Sequence, residues 1–259
     1  MISIQTNISP GAKIGTGTKI EPFVTINSDV VIGQNCWIGP YATIMDGSRI
    51  GNNCKIFPGA VVGAIPQDLK YAGENSILEI GDNTTVREFA TLNRGTKATM
   101  TTKIGSNCLL MAYAHVAHDC VIGNHVILAN NVNLAGHIII DDYAILGGLT
   151  AVHQFVKIGA HAMIGGGSLV MKDVPPFAKA AREPLSYEGV NSVGLRRRGF
   201  EKEQINRIHD IYRFLFIKHR NISKAITDIQ NNLPDSEEKT KILHFISQSE
   251  RGLMKGIRR

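Results

Sequence analysis

Aromatic residues are scarce in this chain, at 6% of 259 residues with a single Trp. A nucleic-acid module that stacks bases on interleaved aromatics is not expected, and no recognised nucleic-acid signature is present either. No apolar run approaches the ~18 residues of a membrane span, so no spanning helix is expected. The first residues, MISIQTNISPGAKIG, lack the basic and apolar regions of a secretory signal, which points to a cytoplasmic protein. Cysteine is scarce too: the four are Cys36, Cys54, Cys108 and Cys120, with no C-x-x-C pair, which argues against a cysteine zinc quartet or a dithiol centre.

Net positive charge is missing from the first two thirds. Residues 1–176 carry 11 Lys and Arg against 12 Asp and Glu, whereas residues 177–259 carry 17 against 10. The overall excess of +6 therefore belongs to the C-terminal third, whose partner should be anionic, a phosphorylated ligand or an acidic protein.

What the chain has in abundance is a six-residue rhythm. Ile8 through Val62, then Ile80, Val86 and Leu92, then Ile104 through Val170 place 25 aliphatic residues at 25 positions in one phase. Four residues after the aliphatic stands a small one, as at Ala12, Thr18, Ala42, Ala60, Ala90, Ala114 and Ala162, and all four cysteines occupy this position. A large and a small inward side chain in alternation suit a narrow prism, so each hexad reads as a short strand and a turn. Three hexads close a triangular coil of 18 residues, and coils ~4.8 Å apart make residues i and i+18 neighbours. The cysteines are then packing residues.

Two segments break the rhythm, Pro66 to Glu79 and Gly95 to Lys103, and loops thrown out of a solenoid are where ligands are met. Pro175 and Pro176 should end the coil, since proline cannot continue strand pairing. The expected division is a β-solenoid over 1–176 and a linker with helices over 177–259. In the latter, Ile205, Ile208, Ile211, Tyr212, Leu215 and Phe216 mark one apolar face. Ser223 should cap a second helix running to Leu233, and Ser236 a third.

The stacking rule also sorts the histidines. Asp119 plus 18 is His137, and His118 plus 18 is Gly136, then Gln154, so these residues share one wall of adjacent coils. Two imidazoles, an acid and an amide offer a general base, an orienting partner and hydrogen bonds for a polar substrate. A second column, His125, Tyr143 and His161, falls at turns and reads as structural. The strongest competing use of so many histidines is zinc, as in the gamma-class carbonic anhydrases built on hexapeptide helices, but His118 and its neighbours supply two imidazoles and a long amide rather than three histidines.

Longer strings carry a more specific resemblance. QDLKYAGE at 67–74, RGT at 94–96, AHVAHDC at 114–120, LANN at 128–131, LAGH at 134–137, GGLTAVHQF at 147–155 and LRRRGF at 195–200 resemble the UDP-N-acetylglucosamine O-acyltransferases of lipid A synthesis along nearly the whole chain. The resemblance implies an all-β solenoid plus α fold, a left-handed parallel β-helix of hexapeptide repeats with a C-terminal helical domain, assembled as a homotrimer. It implies transfer of a 3-hydroxyacyl group from acyl carrier protein to the 3-hydroxyl of UDP-N-acetylglucosamine, without metal or cofactor. The related N-acyltransferase of the same pathway carries an extra N-terminal domain, for which hexads starting at Ile8 leave no room.

Residue by residue, it makes His118 the general base, Asp119 its orienting partner and the Gly136 amide the oxyanion donor. Asp68, His137 and Gln154 would hold the sugar, Lys70 and His153 would lie near the phosphates, and His115 near the pantetheine arm of the donor. Asn191, Arg197 and Arg198 would contact the nucleotide, and Gly166 would leave the acyl groove open to a long, hydroxymyristoyl-like chain. The basic C-terminal third would dock the acidic carrier protein. One position departs from the family: Val193 stands where a glutamate is common, which removes a polar contact to the nucleoside. A trimeric scaffold without catalysis is the rival reading of the same fold.

Overall fold

The computed structural model describes residues 2–219 and 221–256. Short strands recur every six residues from Asn7–Ile8 to Leu169–Val170 and fall into three parallel sheets, the three faces of a prism. Neighbouring strands in one face lie one coil apart in the chain, as Lys13 pairs with Val31, Ile127 with Ile145 and Ala151 with Leu169. The first face runs from Asn7–Ile8 to Leu169–Val170, the second from Lys13–Ile14 to Lys157–Ile158, and the third begins at Lys19–Ile20.

The prism is filled as the alternation requires. Ile26, Ile38, Ile44, Val62, Leu92, Leu110, Leu128 and Ile164 are fully buried, each contributing ~1.5–3 kcal/mol of apolar transfer energy. Val24, Cys54, Ala60, Ala90, Ala114 and Ala162 fill the small position. Where that position carries a hydroxyl, a corner carbonyl accepts from it: Thr84 Oγ1 donates to Gly105 O at 2.8 Å and Ser168 Oγ to Gly165 O at 2.7 Å. The cysteines are free and buried, and burial pushes the Cys120 thiol up to about 12, as a packing role entails.

Most corners turn through a left-handed backbone residue. Asn35, Asn53, Asn107 and Asn131 take this position where the corner is plain, and Asp119, His125, His137, Tyr143 and His161 take it elsewhere. A non-glycine residue there costs ~1–2 kcal/mol. Stacking on the ring one coil away offsets much of that: His125 and Tyr143 lie 4.5 Å apart, Tyr143 and His161 4.9 Å, and such pairs contribute ~0.5–1.5 kcal/mol.

Both loops are shorter than the breaks in rhythm suggest. Ile77–Ile80 and Thr101–Ile104 are strands, paired with each other and, through Leu78 and Ser48, with the coil below. Leu78 and Thr102 are fully buried, and this extra inward pair draws the ends of the insertions into the ladder. Nor do Pro175 and Pro176 end the coil. Val174 bridges Ile158, and Ala178–Ala181 continues the third face through Met163 to Lys179 and Ile164 to Ala180. The prolines sit in the corner between, where no ladder N–H is needed.

Ala178–Ala181 then pairs antiparallel with Ser186–Val190, which leads into helix α1, Ser192–Arg197. Helices α2, Lys202–Tyr212, α3, Ile222–Asn232, and α4, Glu237–Ser247, follow, with a π-helical turn Arg213–Lys218 after α2. Ser236 caps α4 as expected, but α3 is capped by Asn221 instead of Ser223: Asn221 has the extended backbone of a cap and accepts from Lys224 N at 3.1 Å. Tyr212, fully buried, donates its hydroxyl to Pro176 O and packs against Tyr187 and Phe216, fastening the helices to the top of the prism.

Candidate active site

Strand His115–Val116 ends at the edge between the first and second faces, and the corner that follows carries His118 and Asp119. Asp119 has φ +58°, and Thr102 Oγ1 accepts its backbone N–H at 2.8 Å. Its buried carboxylate accepts from His118 Nδ1 at 2.7 Å, from Thr96 N at 3.1 Å, from Thr96 Oγ1 at 2.7 Å and from Thr99 Oγ1 at 2.5 Å. Burial pushes the Asp119 carboxyl up, but hydrogen bonds from Thr99, Thr96 and His118 outweigh it and hold the group below its ordinary value. An ionised Asp119 requires the proton of a neutral His118 on Nδ1, which leaves the Nε2 lone pair free to take another.

The imidazole of His118 lies directly over Gly136. A Cβ at 136 would stand 2.6 Å from His118 Cε1 and 2.8 Å from Nε2, so any side chain there would displace the ring. Among the described residues, none accepts from the Gly136 N–H, which leaves a backbone donor beside Nε2. His137 sits one coil above Asp119, its ring edge-on to His118 at 5.2 Å and stacked on Phe155 at 4.7 Å. Its Nε2 is 3.7 Å from Asp119 Oδ2. A base, its anionic partner, a second imidazole and an open amide therefore converge at one edge.

Other expected residues share that edge. His153 and Gln154 occupy the corner one coil above His137, with His153 Nδ1 3.0 Å from Arg251 Nη2. Asp68 and Lys70 lie on the loop 65–76, which leaves the same edge two coils below His118. Asp68 Oδ1 accepts from Lys70 N at 2.9 Å, a local turn, and the loop is pinned by Asn93 Nδ2 on Ile65 O at 2.6 Å and Arg94 Nη2 on the Tyr71 hydroxyl at 2.9 Å.

The remaining expected residues are elsewhere. His115 lies on the flat first face, 2.7 Å from Thr91 Oγ1, and burial holds its pKa below the ordinary value. Asn191, Arg197 and Arg198 are at the edge between the second and third faces: Asn191 caps α1 and donates to His161 O at 3.0 Å, Arg198 lies 5.3 Å over the Tyr143 ring, and Arg197 is exposed. Gly166 is exposed on the third edge, in the corner after Met163–Ile164. Within one chain, then, the residues expected to serve catalysis, the nucleotide and the acyl chain occupy three different edges.

His118, Asp119 and His137 also present ligand atoms within 4.8 Å of one another, the spacing a metal ion would use. The donor set does not suit one. Both oxygens of Asp119 already accept two hydrogen bonds each, so a cation would have to displace threonine or histidine donors. Residues that the sequence reading left without a role are Thr96, Thr99 and Thr102, and Arg251. The string RGT and the threonine content of the second loop were visible, but nothing in the six-residue period says that this loop folds up onto Asp119.

Known proteins bear on this geometry. Models of the bacterial transferase hexapeptide, six repeats, match residues 29–64 and 101–136, and a model described as UDP N-acetylglucosamine O-acyltransferase, domain 2, matches residues 173–254. The acyl-(acyl-carrier-protein)–UDP-N-acetylglucosamine O-acyltransferase of Sulfurovum is 50% identical over 250 residues, 95% of this chain and 94% of that one. Its counterpart in Campylobacter curvus is 48% identical over 248 residues, 95% and 94%. The chain belongs to the UDP-N-acetylglucosamine O-acyltransferase family.

A crystal structure of the UDP-N-acetylglucosamine acyltransferase from Bacteroides fragilis superposes with a TM-score of 0.96 at 49% identity, covering 98% of this chain and 100% of that one. The solenoid is accordingly a left-handed parallel β-helix with a C-terminal helical domain, and the chain is an acyltransferase, as the strings from QDLKYAGE to LRRRGF implied. Among the described residues no helix is long and apolar enough to cross a membrane.

Proposed function

We propose that this acyltransferase moves a 3-hydroxyacyl group from acyl carrier protein to the 3-hydroxyl of UDP-N-acetylglucosamine, with His118 as general base. The observation that carries the reading is the His118–Asp119 pair over Gly136: a fixed Nδ1–H tautomer, a free Nε2 and an open N–H at one point. His118 Nε2 takes the proton of the sugar 3-hydroxyl as its oxygen attacks the thioester carbonyl carbon. The Gly136 N–H donates to the oxyanion, and Asp119 stabilises the imidazolium. Collapse expels the thiolate of the carrier's arm, which takes the proton from His118. No covalent enzyme intermediate is needed, in keeping with cysteines buried in the prism.

In this reading His137, Gln154 and Asp68 hold the sugar, Lys70 and His153 meet the phosphates, and His115 meets the pantetheine arm. Asn191, Arg197 and Arg198 serve the nucleotide, while Val193, exposed beside them, leaves one nucleoside contact unmade. The placement of Arg198 and His118 on different edges supports a homotrimer in which neighbouring subunits complete each site. The excess of basic residues over 177–259 gives the acidic carrier protein a complementary surface. Replacing His118 by Ala should lower kcat at least ~100-fold with the acyl-carrier-protein thioester as donor. Near-normal transfer by that variant would remove the general base from the mechanism and favour a scaffold reading.

A further inference from the structure

The loop 94–100 leaves the edge one coil below His118 and carries threonines three residues apart, Thr96 and Thr99, with Thr102 in the strand that follows. All three point at one residue. Thr102 Oγ1 accepts from Asp119 N at 2.8 Å, Thr96 gives Asp119 its N–H and its hydroxyl at 3.1 and 2.7 Å, and Thr99 Oγ1 donates to the remaining lone pair at 2.5 Å. The Asp119 side chain is completely shielded from solvent, yet charge-bearing neighbours are few: His118 at 2.7 Å and His137 at 3.7 Å face it, and the adjoining buried Cys120 thiol, whose pKa is raised by burial and further by this charge, is a third titratable group beside it. Burial alone would push such a carboxylate toward protonation; hydrogen-bond donors, Thr99 and Thr96 foremost, are what keep it an anion.

We propose that Thr96 and Thr99 are positioning residues of the catalytic base, holding Asp119 ionised and in the plane that presents Oδ2 to His118 Nδ1. The inference rests on the reading of His118 as general base and adds to it the residues that set the base's partner. Its physical content is a division of labour on the carboxylate. Oδ1 is filled by Thr96 N and Thr99 Oγ1, so Asp119 cannot rotate to offer that oxygen elsewhere, and Oδ2 is shared between Thr96 Oγ1 and His118. The threonine donors also draw off part of the carboxylate charge, so they temper how strongly Asp119 stabilises the imidazolium. Removing one should leave His118 more basic and less precisely held.

Thr99 is the cleaner site for a test, because residue 99 is exposed and Val preserves its shape without the hydroxyl. Thr99→Val should retain the wild-type Tm and KM for the sugar nucleotide. It should lose about 10-fold in kcat, as expected when a group aiding proton transfer is misaligned. The acid limb of its kcat profile should move to higher pH, and Thr99→Ser should restore both. On an Asp119→Asn background the same substitution should add nothing, because Thr99 acts through Asp119. Thr99→Val and Thr96→Val variants with wild-type kcat and an unmoved acid limb would overturn the proposal. So would a full additive loss on the Asp119→Asn background. If His118→Ala is inactive in the same assay while both Val variants are normal, the role of Thr96 and Thr99 alone fails; if His118→Ala is active, the base reading fails with it.

Discussion

Position 166 shows how much one hydrogen atom in place of a side chain can decide. Gly166 lies at the edge between the third and first faces, and a Cβ there would come within 3.0 Å of Gly148 O, a backbone carbonyl that would have to give by a few tenths of an ångström. Its backbone is not among the left-handed glycines, unlike Gly167 at φ +71°, so a longer residue can be carried. In the proposed reading glycine sets no side-chain stop for the acyl chain, and each further methylene that an acyl groove buries is worth ~0.8 kcal/mol, about four-fold in affinity. We expect the wild type to prefer a long donor of the hydroxymyristoyl kind and Gly166→Met to shift preference toward shorter 3-hydroxyacyl chains. Competition between donors of different length, read by mass spectrometry of the product, measures this; an unchanged length profile would mean that the groove ends elsewhere. At this scale the 18-residue repeat located two pairings in advance, since His118 over Gly136 and Asp119 beside His137 follow from counting. Thr96 and Thr99 did not follow, because an insertion breaks the count and only the folded loop brings them to Asp119.

The edge column His125, Tyr143, His161 and Phe177 is an element built from corners, and its chemistry is that of burial. His161 is pushed down to about 4, first by desolvation and then by Arg198 and Lys241, and its buried Nδ1 finds no hydrogen-bond partner. In the unfolded chain the same ring titrates near 6.5. Between those values the unfolded state binds a proton that the folded state refuses, so the contribution to stability is complete above about 6.5 and is lost as pH falls toward 4. Thermal melts from pH 7 to 4.5 should show a falling Tm, and His161→Phe, which keeps the stack and removes the ionisation, should flatten that fall. An equal slope in the variant would place the acid sensitivity in other groups, of which half-buried His115 is the first to examine. Elements of this kind were legible wherever the period ran unbroken. The extra strand residues at Ile77–Ile80 and Thr101–Ile104, the hairpin from Ala178 to Val190 and the six-residue α1 were not, because each depends on a tertiary partner rather than on its own pattern.

At the scale of the whole molecule the decisive fact is that three sets of residues occupy three edges of one prism. His118 and its neighbours are between the first and second faces, Arg198 lies over Tyr143 between the second and third, and Gly166 is between the third and first. A rigid solenoid cannot bring its own edges together, whereas a closed ring of subunits sets one edge of each against a different edge of the next. The proposed homotrimer thus has a direct test in subunit mixing. His118→Ala and Arg198→Ala should each be nearly inactive alone. When the two are co-expressed and assemble at random, a site is complete only if it takes His118 from one parent and Arg198 from the other. That arrangement arises at about a quarter of the interfaces, so about a quarter of wild-type activity should return. Mixing the two variants after separate purification should restore far less until the subunits exchange. If co-expression restores nothing, or if the active species runs as a monomer, each chain must complete its own site and the assembly argument fails.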